Sequence, residues 1–573
     1  MRRALAWIAG VNGCEWGATS SAGVEVLQVL RSLQGHYRYR RTPISILRSP
    51  RFPGLGHGAP SSGMLDFQRY MAQTRSFPRV CIALGLSDVA TLLDHARREA
   101  EAGETFLEFR LDFLERPSQG PGVIRRFLEQ FPDCIVLATC RRHQNHGKFN
   151  GSIEEQLALL NRAVEAGAQA VDLEIESAEA AAERLIQFRG RALVVVSYHN
   201  FETTPPMDTV VNRMLRAPAD AYKLVTTARK PSDNMRVLAA AKALTKHRMV
   251  VLAMGEIGFP TRVLSPVYGG FYTYAAPTRT EGTASGQVCA RQLRRLYNVE
   301  KLGKTSKVYG VIADPVRHSI SPAVLNRAFQ ARRLDAVYLP FLVSPAHLRD
   351  FFILANTLPI AGFSVTIPHK QKIIRYLDAV DPLARRIGAV NTVWRKSGKW
   401  RGANTDAAGI VGPLARCLRL RNASVLIAGN GGAARGAAFG LADAGAKIAI
   451  VGRNGDRVRA LAKVCGAEAL VREQLGGRHF DAVVHATPLG MYPHADGCFF
   501  EGEIPGEVVF DMVYNPAETE LLRRAKAQGK VGIPGLDMFI EQAVRQFEIW
   551  TGESAPRAAM LKAAAEALEH HYT

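Results

Sequence analysis

The chain has few cysteines, few acidic residues and no long apolar runs. Its 8 cysteines are scattered through 573 residues and none forms a Cys-x-x-Cys pair, which argues against a disulfide framework and indicates a reducing compartment such as the cytoplasm. No apolar run reaches the roughly 20 residues that a membrane-spanning helix needs. The formal net charge is +21, but neither a Lys/Arg block with interleaved aromatic residues nor a zinc-finger spacing accompanies it. We therefore expect no nucleic-acid partner and no membrane partner.

Residues 1–75 differ in composition from the rest of the chain. Up to residue 70 they contain arginine but no lysine, and their only acids are Glu15, Glu25 and Asp66. We expect a disordered, Arg-rich extension, or an over-extended reading frame whose natural start is Met64 or Met71. The alternative is an organelle transit peptide, which is also Arg-rich and poor in acids and would direct the protein to a plastid.

Residues 76–298 alternate short apolar runs with helical patterns. The eight runs begin at Val80, Phe106, Ile135, Ala170, Ala192, Ala221, Val250 and Gly270. Helical patterns separate most of them, for example those that begin at Ser87, Ile153 and Asn234. Eight strands alternating with helices predict an α/β fold of the (β/α)8 barrel type.

In such a barrel the chemistry lies at the C-terminal ends of the strands. Polar residues occupy those ends here: Glu108, Arg110, Arg141, His199, Lys223, Arg262, Thr283 and Gln287. Each also has a plainer interpretation, since a strand lysine can reach solvent and a single histidine is more often structural than catalytic. Parallel barrel strands are covered on both faces, however, which favours a Lys223 side chain in the barrel mouth.

A buried lysine favours its neutral amine, and a neutral amine can attack a ketone to form a Schiff base. His199 is one strand away from Lys223 and is a plausible proton shuttle for that reaction. Arginines 110, 141 and 262 converge on the same rim, so the substrate is expected to carry a carboxylate.

These residues stand in motifs that resemble type I 3-dehydroquinate dehydratase over residues 79–290. The motifs are Glu108-Phe-Arg110-Leu-Asp112, Ser197-Tyr-His199-Asn-Phe, Tyr222-Lys223-Leu-Val, Ala253-Met-Gly255-Glu-Ile-Gly258-Phe-Pro-Thr-Arg262 and Thr283-Ala-Ser-Gly-Gln287. The resemblance implies that Lys223 forms an imine with the substrate ketone and that His199 is the general acid and base. It implies a substrate-binding role for the other six barrel residues and no metal. One position departs from the family: Asn145 stands where a glutamate is expected, so a carboxylate that orients His199 is missing.

A glycine-rich segment dominates the second half. Gly429-Asn-Gly431-Gly432-Ala433 follows a strand pattern at Ser424–Ala428 and opens a helix, and a second strand pattern follows at Lys447–Val451. This is the context required of a dinucleotide-binding Rossmann domain, which we place over residues 411–536. The second strand ends at Gly-Arg453-Asn454 with Arg457 close behind and no acid. Two arginines favour a 2′-phosphate and therefore NADP, although they could also be solvated surface residues.

The flanking segments resemble shikimate dehydrogenase, over about 307–570. The motifs are His318-Ser319-Ile-Ser321-Pro322, Val365-Thr366-Ile-Pro-His-Lys370, Gly388-Ala-Val-Asn391-Thr, Asn404-Thr-Asp406, Ala486-Thr-Pro-Leu-Gly490-Met491, Asp511-Met512-Val-Tyr514-Asn-Pro516 and Met538-Phe-Ile-Glu-Gln542. The resemblance implies that Lys370 and Asp406 serve hydride and proton transfer. It implies a substrate-binding role for Ser319, Ser321, Thr366, Asn391, Tyr514 and Gln542, and we add Met512 and Gly535 to the cofactor site. The substrate-binding domain is expected over 305–410, with C-terminal helices over 537–573 that return to it.

The two resemblances fit one pathway, because 3-dehydroshikimate is the product of the first activity and the substrate of the second. We therefore expect a bifunctional shikimate-pathway enzyme acting on 3-dehydroquinate, 3-dehydroshikimate and shikimate. The alternatives are a Schiff-base enzyme fused to a quinate dehydrogenase that uses NAD, and a degenerate pair of domains that serves as a scaffold. The oligomeric state is left open.

We predict that a chain starting at Met71 folds and keeps both activities, because residues 1–75 show no pattern of a core. Activity assays and the soluble yield of the shortened chain measure this. Loss of either activity would mean that the extension packs on the barrel. Residues 1–75 fused to a fluorescent reporter should leave it in the cytoplasm, whereas a transit peptide would carry it into plastids.

Overall fold

The computed structural model describes residues 77–244, 246–278, 282–317, 319–492 and 494–569. The expectations for residues 1–75 and for His318 lie outside this part of the chain. The described residues form three sheets with helices between and around the strands, so the predicted α/β class is confirmed.

The first sheet is an eight-stranded parallel barrel. Its strands are β1 (Val80–Leu84), β2 (Phe106–Arg110), β3 (Ile135–Thr139), β4 (Ala170–Glu174), β5 (Leu193–His199), β6 (Ala221–Thr227), β7 (Arg248–Met254) and β8 (Thr273–Ala275). The helices between them are α1 (Val89–Glu101), α2 (Gly120–Gln130), α3 (Ile153–Glu165), α4 (Ile175–Ala180), α5 (Met207–Met214), α6 (Pro231–Ala243) and α7 (Phe259–Leu264). Neighbouring strands pair in parallel from β1 through to β7, and β1 also pairs with β8.

The eighth strand is shorter than the sequence pattern indicates. The apolar run begins at Gly270, but Gly270 makes only an isolated bridge to Met249 and the strand begins at Thr273. Gly270 is pressed against the preceding turn, since a Cβ there would lie 2.3 Å from Ser265 Oγ. The barrel closes at this point through one backbone bond, from the amide of Phe271 to the carbonyl of Met249 (2.7 Å).

The second sheet has six strands in the order β10-β9-β11-β13-β14-β12. They are β9 (Lys307–Ala313), β10 (Ala336–Leu342), β11 (Ile360–Val365), β12 (Ala379–Val380), β13 (Thr392–Lys396) and β14 (Lys399–Ala403). Its helices are α8 (Ser321–Ala331), α9 (Leu348–Thr357), α10 (Pro382–Ile387) and α11 (Asp406–Cys417). The tight turn at Ser397-Gly398 makes β13 and β14 an antiparallel hairpin.

The third sheet is parallel, with the order β17-β16-β15-β18-β19-β20. Its strands are β15 (Ser424–Ala428), β16 (Lys447–Val451), β17 (Glu468–Leu470), β18 (Phe480–His485), β19 (Gly506–Asp511) and β20 (Val531–Ile533). Its helices are α12 (Gly432–Asp443), α13 (Gly455–Cys465) and α14 (Glu520–Ala527). Successive strands are added on one side of β15 up to β17 and on its other side from β18 onwards. Doubly wound sheets bind ligands at such a point, where the strand order reverses.

Two C-terminal helices, α15 (Gly535–Thr551) and α16 (Arg557–Glu569), pack on the second sheet. Phe547 and Trp550 of α15 are buried with Tyr309 and Phe329 of that sheet and its helix α8. The indole of Trp550 donates to the carbonyl of Val393 at 3.0 Å. Of the helices in the described ranges, none is long and apolar enough to cross a membrane.

The barrel and the second sheet contact each other through helices α6 and α9. Apolar residues of both units belong to one continuous core, which includes Val237 and Leu238 of the barrel together with Phe351 and Leu354 of the second unit. Asp350 of α9 adds polar bonds, because its carboxylate accepts from the backbone amide and from the hydroxyl of Ser232 at 2.7 Å each. Ser232 lies in the first turn of α6, where backbone amides have no partner within the helix.

We predict that Asp350→Ala destabilises the barrel by about 1–2 kcal/mol, the usual cost of removing an acceptor from a helix N-terminus. Urea unfolding followed by a probe in the barrel measures the loss. Asp443→Ala is the matched control, because Asp443 pairs with Arg386 on the surface, where an ion pair contributes little. Equal stabilities of the two variants would show that the cap adds nothing to the interface.

Candidate active sites

The first site lies at the C-terminal mouth of the barrel. All eight residues predicted for it line a single cavity: Glu108, Arg110, Arg141, His199, Lys223, Arg262, Thr283 and Gln287. Parallel pairing puts the strand ends on one side, so residues up to 179 positions apart in sequence meet there. Part of the cavity wall is apolar and is formed by Phe201, Leu252 and Met254.

Lys223 is buried in a set of polar partners. Its Nζ donates to Asp172 Oδ2 and to the hydroxyl of Tyr274, at 2.9 Å each, and lies 3.5 Å from Glu108 Oε1. Asp172 and Tyr274 were not singled out from the sequence. Glu108, Asp172, Lys223 and Tyr274 come from β2, β4, β6 and β8, and a barrel interior is built in layers of four side chains from alternate strands. Applied to the layer that contains Lys223, this rule predicts Asp172 and Tyr274 as its neighbours.

Asp172 remains a carboxylate because two cations outweigh its burial. Burial alone would raise the pKa of Asp172, but Lys223 and Arg141 hold it below its ordinary value. Arg141 Nη2 lies 3.8 Å from Asp172 Oδ1, and the hydroxyl of Ser197 donates to the same oxygen at 2.7 Å. The buried negative charge is therefore paired and hydrogen-bonded, as buried charges must be.

Arg262 has the surroundings expected of a group that binds an anion. It is 1% exposed, and among the described residues its Nε has no hydrogen-bond partner and its Nη2 donates only to the carbonyl of Ser285. Burial without a carboxylate nearby lowers the pKa of Arg262 to about 10. A buried guanidinium that lacks a counter-ion fits a substrate carboxylate. Arg110, by contrast, already has a bidentate partner in Asp112, at 2.9 and 2.7 Å.

His199 ends β5 and stands at the edge of the cavity. Its ring stacks on Phe201, with the ring centroids 5.8 Å apart and an interplanar angle of 17°. Burial, together with Arg141 and Lys223, holds the pKa of His199 well below its ordinary value, so the imidazole is neutral and can accept a proton. Asn145, which stands where the family has a glutamate, donates instead to Glu176 Oε2 at 2.8 Å.

Thr283 and Gln287 close the mouth as one small loop. The side-chain oxygen of Gln287 accepts from the backbone amide of Thr283 at 2.7 Å. Within the described ranges, no group of three or more His, Cys, Asp or Glu side chains is placed to hold a metal ion.

The second site lies between the second and third sheets. Lys370 Nζ is 2.7 Å from Asp406 Oδ2, and the amide of Asn391 donates to the other oxygen of Asp406 at 2.8 Å. Asp406 begins α11 and is buried, whereas Lys370 is partly exposed. The predicted pair is therefore formed, with the carboxylate fixed and the ammonium able to reach a substrate.

The other residues predicted for this site stand on or beside elements of the second unit. Ser319 and Ser321 lie at the start of α8, and Thr366 directly follows β11. Gln542 packs against α11, since a Cβ at Gly409 would lie 3.3 Å from its Cβ. The ring of Tyr514 lies against that of Phe539 of α15, with the centroids 5.3 Å apart and an interplanar angle of 41°. None of these five side chains contacts the Lys370 and Asp406 side chains directly by a hydrogen bond among the described residues.

Gln546 was missed by the sequence analysis. This buried glutamine of α15 accepts from Ser364 Oγ at 2.7 Å and donates to the carbonyl of Asn391 at 3.2 Å. It thereby ties α15 to the strand ends beneath the site. The available signal was its spacing, because it lies one helical turn after Gln542 on the same face.

The glycine-rich turn is open where a dinucleotide would lie. A Cβ at Gly431 or Gly432 would meet nothing within 4 Å, whereas one at Gly429 would lie 2.7 Å from the carbonyl of Ala486. Gly429 also has a positive φ of 133°, which other residues rarely adopt. Ala433 follows in the first turn of α12, whose free amides suit a phosphate. Gly436 of this helix lies close to Asp406, since a Cβ there would be 3.6 Å from Asp406 Cβ, so the helix that follows the glycine-rich turn packs next to the Lys370–Asp406 pair.

The predicted phosphate-reading residues follow β16. The side chain of Asn454 caps α13 by accepting from the amide of Arg457 at 3.0 Å. Arg453 and Arg457 are exposed, and neither guanidinium makes an ion pair within the described part of the chain. Met512 directly follows β19 and Gly535 begins α15, where a Cβ would lie 2.5 Å from the carbonyl of Val513. These residues fit a 2′-phosphorylated dinucleotide.

Family models match both halves of the chain. Type I 3-dehydroquinase matches residues 80–304, the shikimate dehydrogenase substrate binding domain matches residues 311–393, and the shikimate 5'-dehydrogenase C-terminal domain matches residues 535–565.

Known proteins resemble the whole chain or its second half. The chain is 33% identical over 506 residues to the bifunctional 3-dehydroquinate dehydratase/shikimate dehydrogenase, chloroplastic, of Arabidopsis thaliana, which covers 83% of each chain. It is 33% identical over 386 residues to the shikimate biosynthesis protein AroDE of Chlamydia pneumoniae, covering 66% of this chain and 78% of that one. A shikimate dehydrogenase (NADP(+)) of Oleidesulfovibrio alaskensis is 40% identical over 269 residues, covering 46% and 96%.

The two matched families follow each other along the chain in the same order as the barrel and the dehydrogenase-like unit. The chain belongs to the family of bifunctional type I 3-dehydroquinate dehydratase/shikimate dehydrogenases.

Proposed function

We propose that this chain catalyses two consecutive steps of the shikimate pathway. The barrel dehydrates 3-dehydroquinate to 3-dehydroshikimate, and the second half reduces 3-dehydroshikimate to shikimate with NADPH. The observation that carries the proposal is a lysine with a fixed carboxylate partner in each half of the chain. Lys223 is buried at the barrel mouth, in the same cavity as Arg262, whose Nε has no hydrogen-bond partner among the described residues. Lys370 is bonded to Asp406 next to the helix that follows the glycine-rich turn.

In the dehydration, Lys223 Nζ attacks the ketone carbon and forms an imine after loss of water. The imine withdraws electrons, so a proton on the neighbouring carbon becomes acidic. Neutral His199 takes that proton and then protonates the departing hydroxyl group. Arg262 holds the substrate carboxylate, and Glu108, Arg110, Arg141, Thr283 and Gln287 hold the remaining substrate oxygens.

In the reduction, the chain's residues bind the substrate and deliver a proton to its carbonyl oxygen. Lys370 is the donor, and Asp406 holds the ammonium in place, since the carboxylate is itself fixed by Asn391. Ser319, Ser321, Thr366, Tyr514 and Gln542 bind the ring hydroxyls and the carboxylate. NADPH, when bound, supplies the hydride. Gly429, Gly431, Gly432, Ala433, Arg453, Asn454, Arg457, Met512 and Gly535 form its site.

We propose the same division of the chain for these tasks. It comprises an extension over 1–75, the dehydratase barrel over 76–298, the substrate-binding domain over 305–410, the NADP-binding domain over 411–536 and the C-terminal helices over 537–573. For the compartment we propose the cytoplasm. The plastid is the alternative if residues 1–75 are a transit peptide, and the Arabidopsis relative is a chloroplast protein.

A coupled assay tests the proposed function as a whole. 3-Dehydroquinate and NADPH are added to the single chain, and oxidation of the nicotinamide is followed by absorbance. Turnover requires both activities in sequence. Quinate with NAD is the comparison, and a preference for that pair would replace the second half of the proposal by a quinate dehydrogenase.

We predict that Lys223→Ala abolishes dehydration, because the nucleophile is lost, and leaves the NADPH-dependent reduction of 3-dehydroshikimate nearly unchanged. Borohydride added with 3-dehydroquinate should inactivate only the dehydratase of the unmodified chain, since it reduces the imine. Steady-state assays of each half-reaction measure both effects.

Lys246→Ala is the control for this prediction, because Lys246 is an exposed barrel lysine far from the mouth. The reductase activity of the same chain reports whether the Lys223 variant is folded. Dehydration by Lys223→Ala at a rate comparable to that of Lys246→Ala would rule out the imine mechanism.

We predict that removing Arg453 or Arg457 raises the KM for NADPH about ten- to a hundredfold. A charge-assisted bond to a phosphate contributes about 1.5–3 kcal/mol, and about 1.4 kcal/mol corresponds to a factor of ten. The kcat at saturating NADPH should stay close to that of the unmodified chain, since the contact is equal in ground and transition states. The KM for NADH should not change, because NADH has no 2′-phosphate.

Arg459→Ala is the matched control, since Arg459 lies on the same helix and already pairs with Asp456. Equal losses with NADPH and NADH would mean that Arg453 and Arg457 hold the fold and do not read the phosphate.

A further inference from the structure

The hydroxyl of Tyr274 touches the reacting nitrogen of the barrel site, and nothing in the mechanism above uses it. Lys223 Nζ donates to Tyr274 Oη at 2.9 Å, and Tyr274 Oη donates to Glu108 Oε1 at 3.5 Å. The ring lies against the same nitrogen, with Nζ 4.3 Å from the ring centroid. Tyr274, Lys223 and Glu108 are all almost completely buried, so water has little access to them.

The mechanism proposed above does not say which group accepts the proton that Lys223 Nζ must lose before it attacks the ketone. The ion pair with Asp172 is formed by the ammonium of Lys223 and not by the neutral amine expected from burial, and an ammonium has no lone pair with which to attack a ketone. One proton must leave Nζ before the N–C bond forms. Asp172 is a poor acceptor for it, because that carboxylate is held by Lys223, Arg141 and Ser197 at once.

Glu108 is the other carboxylate beside Lys223, and its Oε1 also accepts from the hydroxyl of Thr139 at 2.6 Å. Lys223 Nζ and Tyr274 Oη each lie 3.5 Å from Glu108 Oε1, but of these two groups only the tyrosine hydroxyl is directed at it as a hydrogen-bond donor. Tyr274 completes the path, since it accepts from Lys223 and donates to Glu108. Its bond to Glu108 is long, as catalytic hydrogen bonds often are before substrate binds.

We propose that Tyr274 is a further catalytic residue of the barrel site, whose hydroxyl relays a proton from Lys223 to Glu108. This step rests on the proposed function of Lys223. A proton moves from Nζ to Tyr274 Oη while the phenolic proton moves from Oη to Glu108 Oε1. The ammonium and the carboxylate become an amine and a carboxylic acid, and the tyrosine is neutral before and after.

The proton stored on Glu108 is used again in the same half-reaction. The amine lone pair forms the N–C bond as the carbonyl π electrons move to oxygen, and a proton transfer from nitrogen to oxygen gives a neutral carbinolamine. Glu108 then returns its proton to the hydroxyl group, which leaves as water with the C–O electron pair. The product is a protonated imine, Glu108 is a carboxylate again, and no outside acid or base is consumed.

The surroundings keep Tyr274 a neutral phenol between transfers. Burial, with Glu108 next to it, raises the pKa of Tyr274 well above its ordinary value. The titratable and charged groups that face Lys223 and Tyr274 are Cys81, Glu108, Arg141, Asp172, His199 and Tyr272. Burial raises the pKa of the Cys81 thiol and of the Tyr272 phenol well above their ordinary values, so neither accepts the proton at neutral pH.

The test is the rate at which the imine forms. Full-length chain is mixed with 3-dehydroquinate, borohydride is added after a set delay, and the trapped fraction is measured by mass. Tyr274→Phe removes one oxygen atom from the relay and keeps the ring. We expect its imine to form about a hundredfold more slowly at neutral pH, in the range of a lost proton transfer. The rate of the variant should rise steeply with pH, because hydroxide from solution then removes the proton, whereas the unmodified chain should depend less on pH.

Tyr268→Phe is the matched control, because Tyr268 also carries a buried hydroxyl but lies outside the cavity. It should form the imine at the rate of the unmodified chain. Glu108→Gln removes the proton store, and it should show the same steep pH dependence as Tyr274→Phe. Reduction of 3-dehydroshikimate by each variant reports on its folding.

Each outcome bears on one claim. Imine formation by Tyr274→Phe at the control rate would overturn the relay and mean that Lys223 passes its proton directly to Glu108. A uniform loss with an unchanged pH profile would also overturn it, because Tyr274 would then only position Lys223. Failure to trap any imine in the unmodified chain would overturn the Schiff-base function of Lys223 itself.

Discussion

The buried ion pair between Lys223 and Asp172 is the constraint on which the barrel site depends. Moving a charge out of water costs several kcal/mol unless a partner and further hydrogen bonds are present. Both charges here have such partners: Tyr274 and Glu108 around the ammonium, Ser197 and Arg141 around the carboxylate. The pair therefore holds β4 and β6 in one relative position, and with them Lys223 Nζ.

The same constraint explains how the barrel interior is filled. Glu108, Asp172, Lys223 and Tyr274 form a polar layer from the even-numbered strands. Two residues earlier in the chain, the layer below contains Phe106, Ala170 and Ala221 on β2, β4 and β6, together with Tyr272, which directly precedes β8. The polar layer thus rests on a packed one, in which the large rings of Phe106 and Tyr272 offset the two alanines. The lower layer keeps the site rigid and closed from beneath.

Much of this could be predicted from the sequence. The periodicity of apolar residues located all eight barrel strands and two of the six strands of the third sheet, β15 and β16, because buried parallel strands are continuously apolar. The start of β8 was wrong, since the close approach of Gly270 to Ser265 is a tertiary contact with no local signature. Motifs pointed to the eight residues that line the barrel cavity. Asp172 and Tyr274 were not predicted because their partner is Lys223. Only the layering of side chains in the closed barrel brings the three together. Gln546 escaped for the same reason, as its partners lie more than 150 residues away.

The two catalytic units are held together by packing rather than by charge. One ion pair joins the loops that lead to the two sites, from Arg317, two residues before Ser319, to Glu256, in the segment that leads to Arg262. Arg317 is largely exposed, and a pair of this kind contributes at most about 1 kcal/mol. The apolar contact of α6 with α9, capped by Asp350, buries side chains in one shared core and excludes water from it. Because burial of apolar area is the larger and less salt-sensitive effect, salt strong enough to break the Arg317 pair should leave the two units docked. The stability of the interface therefore does not depend on the Arg317–Glu256 ion pair, which links the loops beside the two candidate sites.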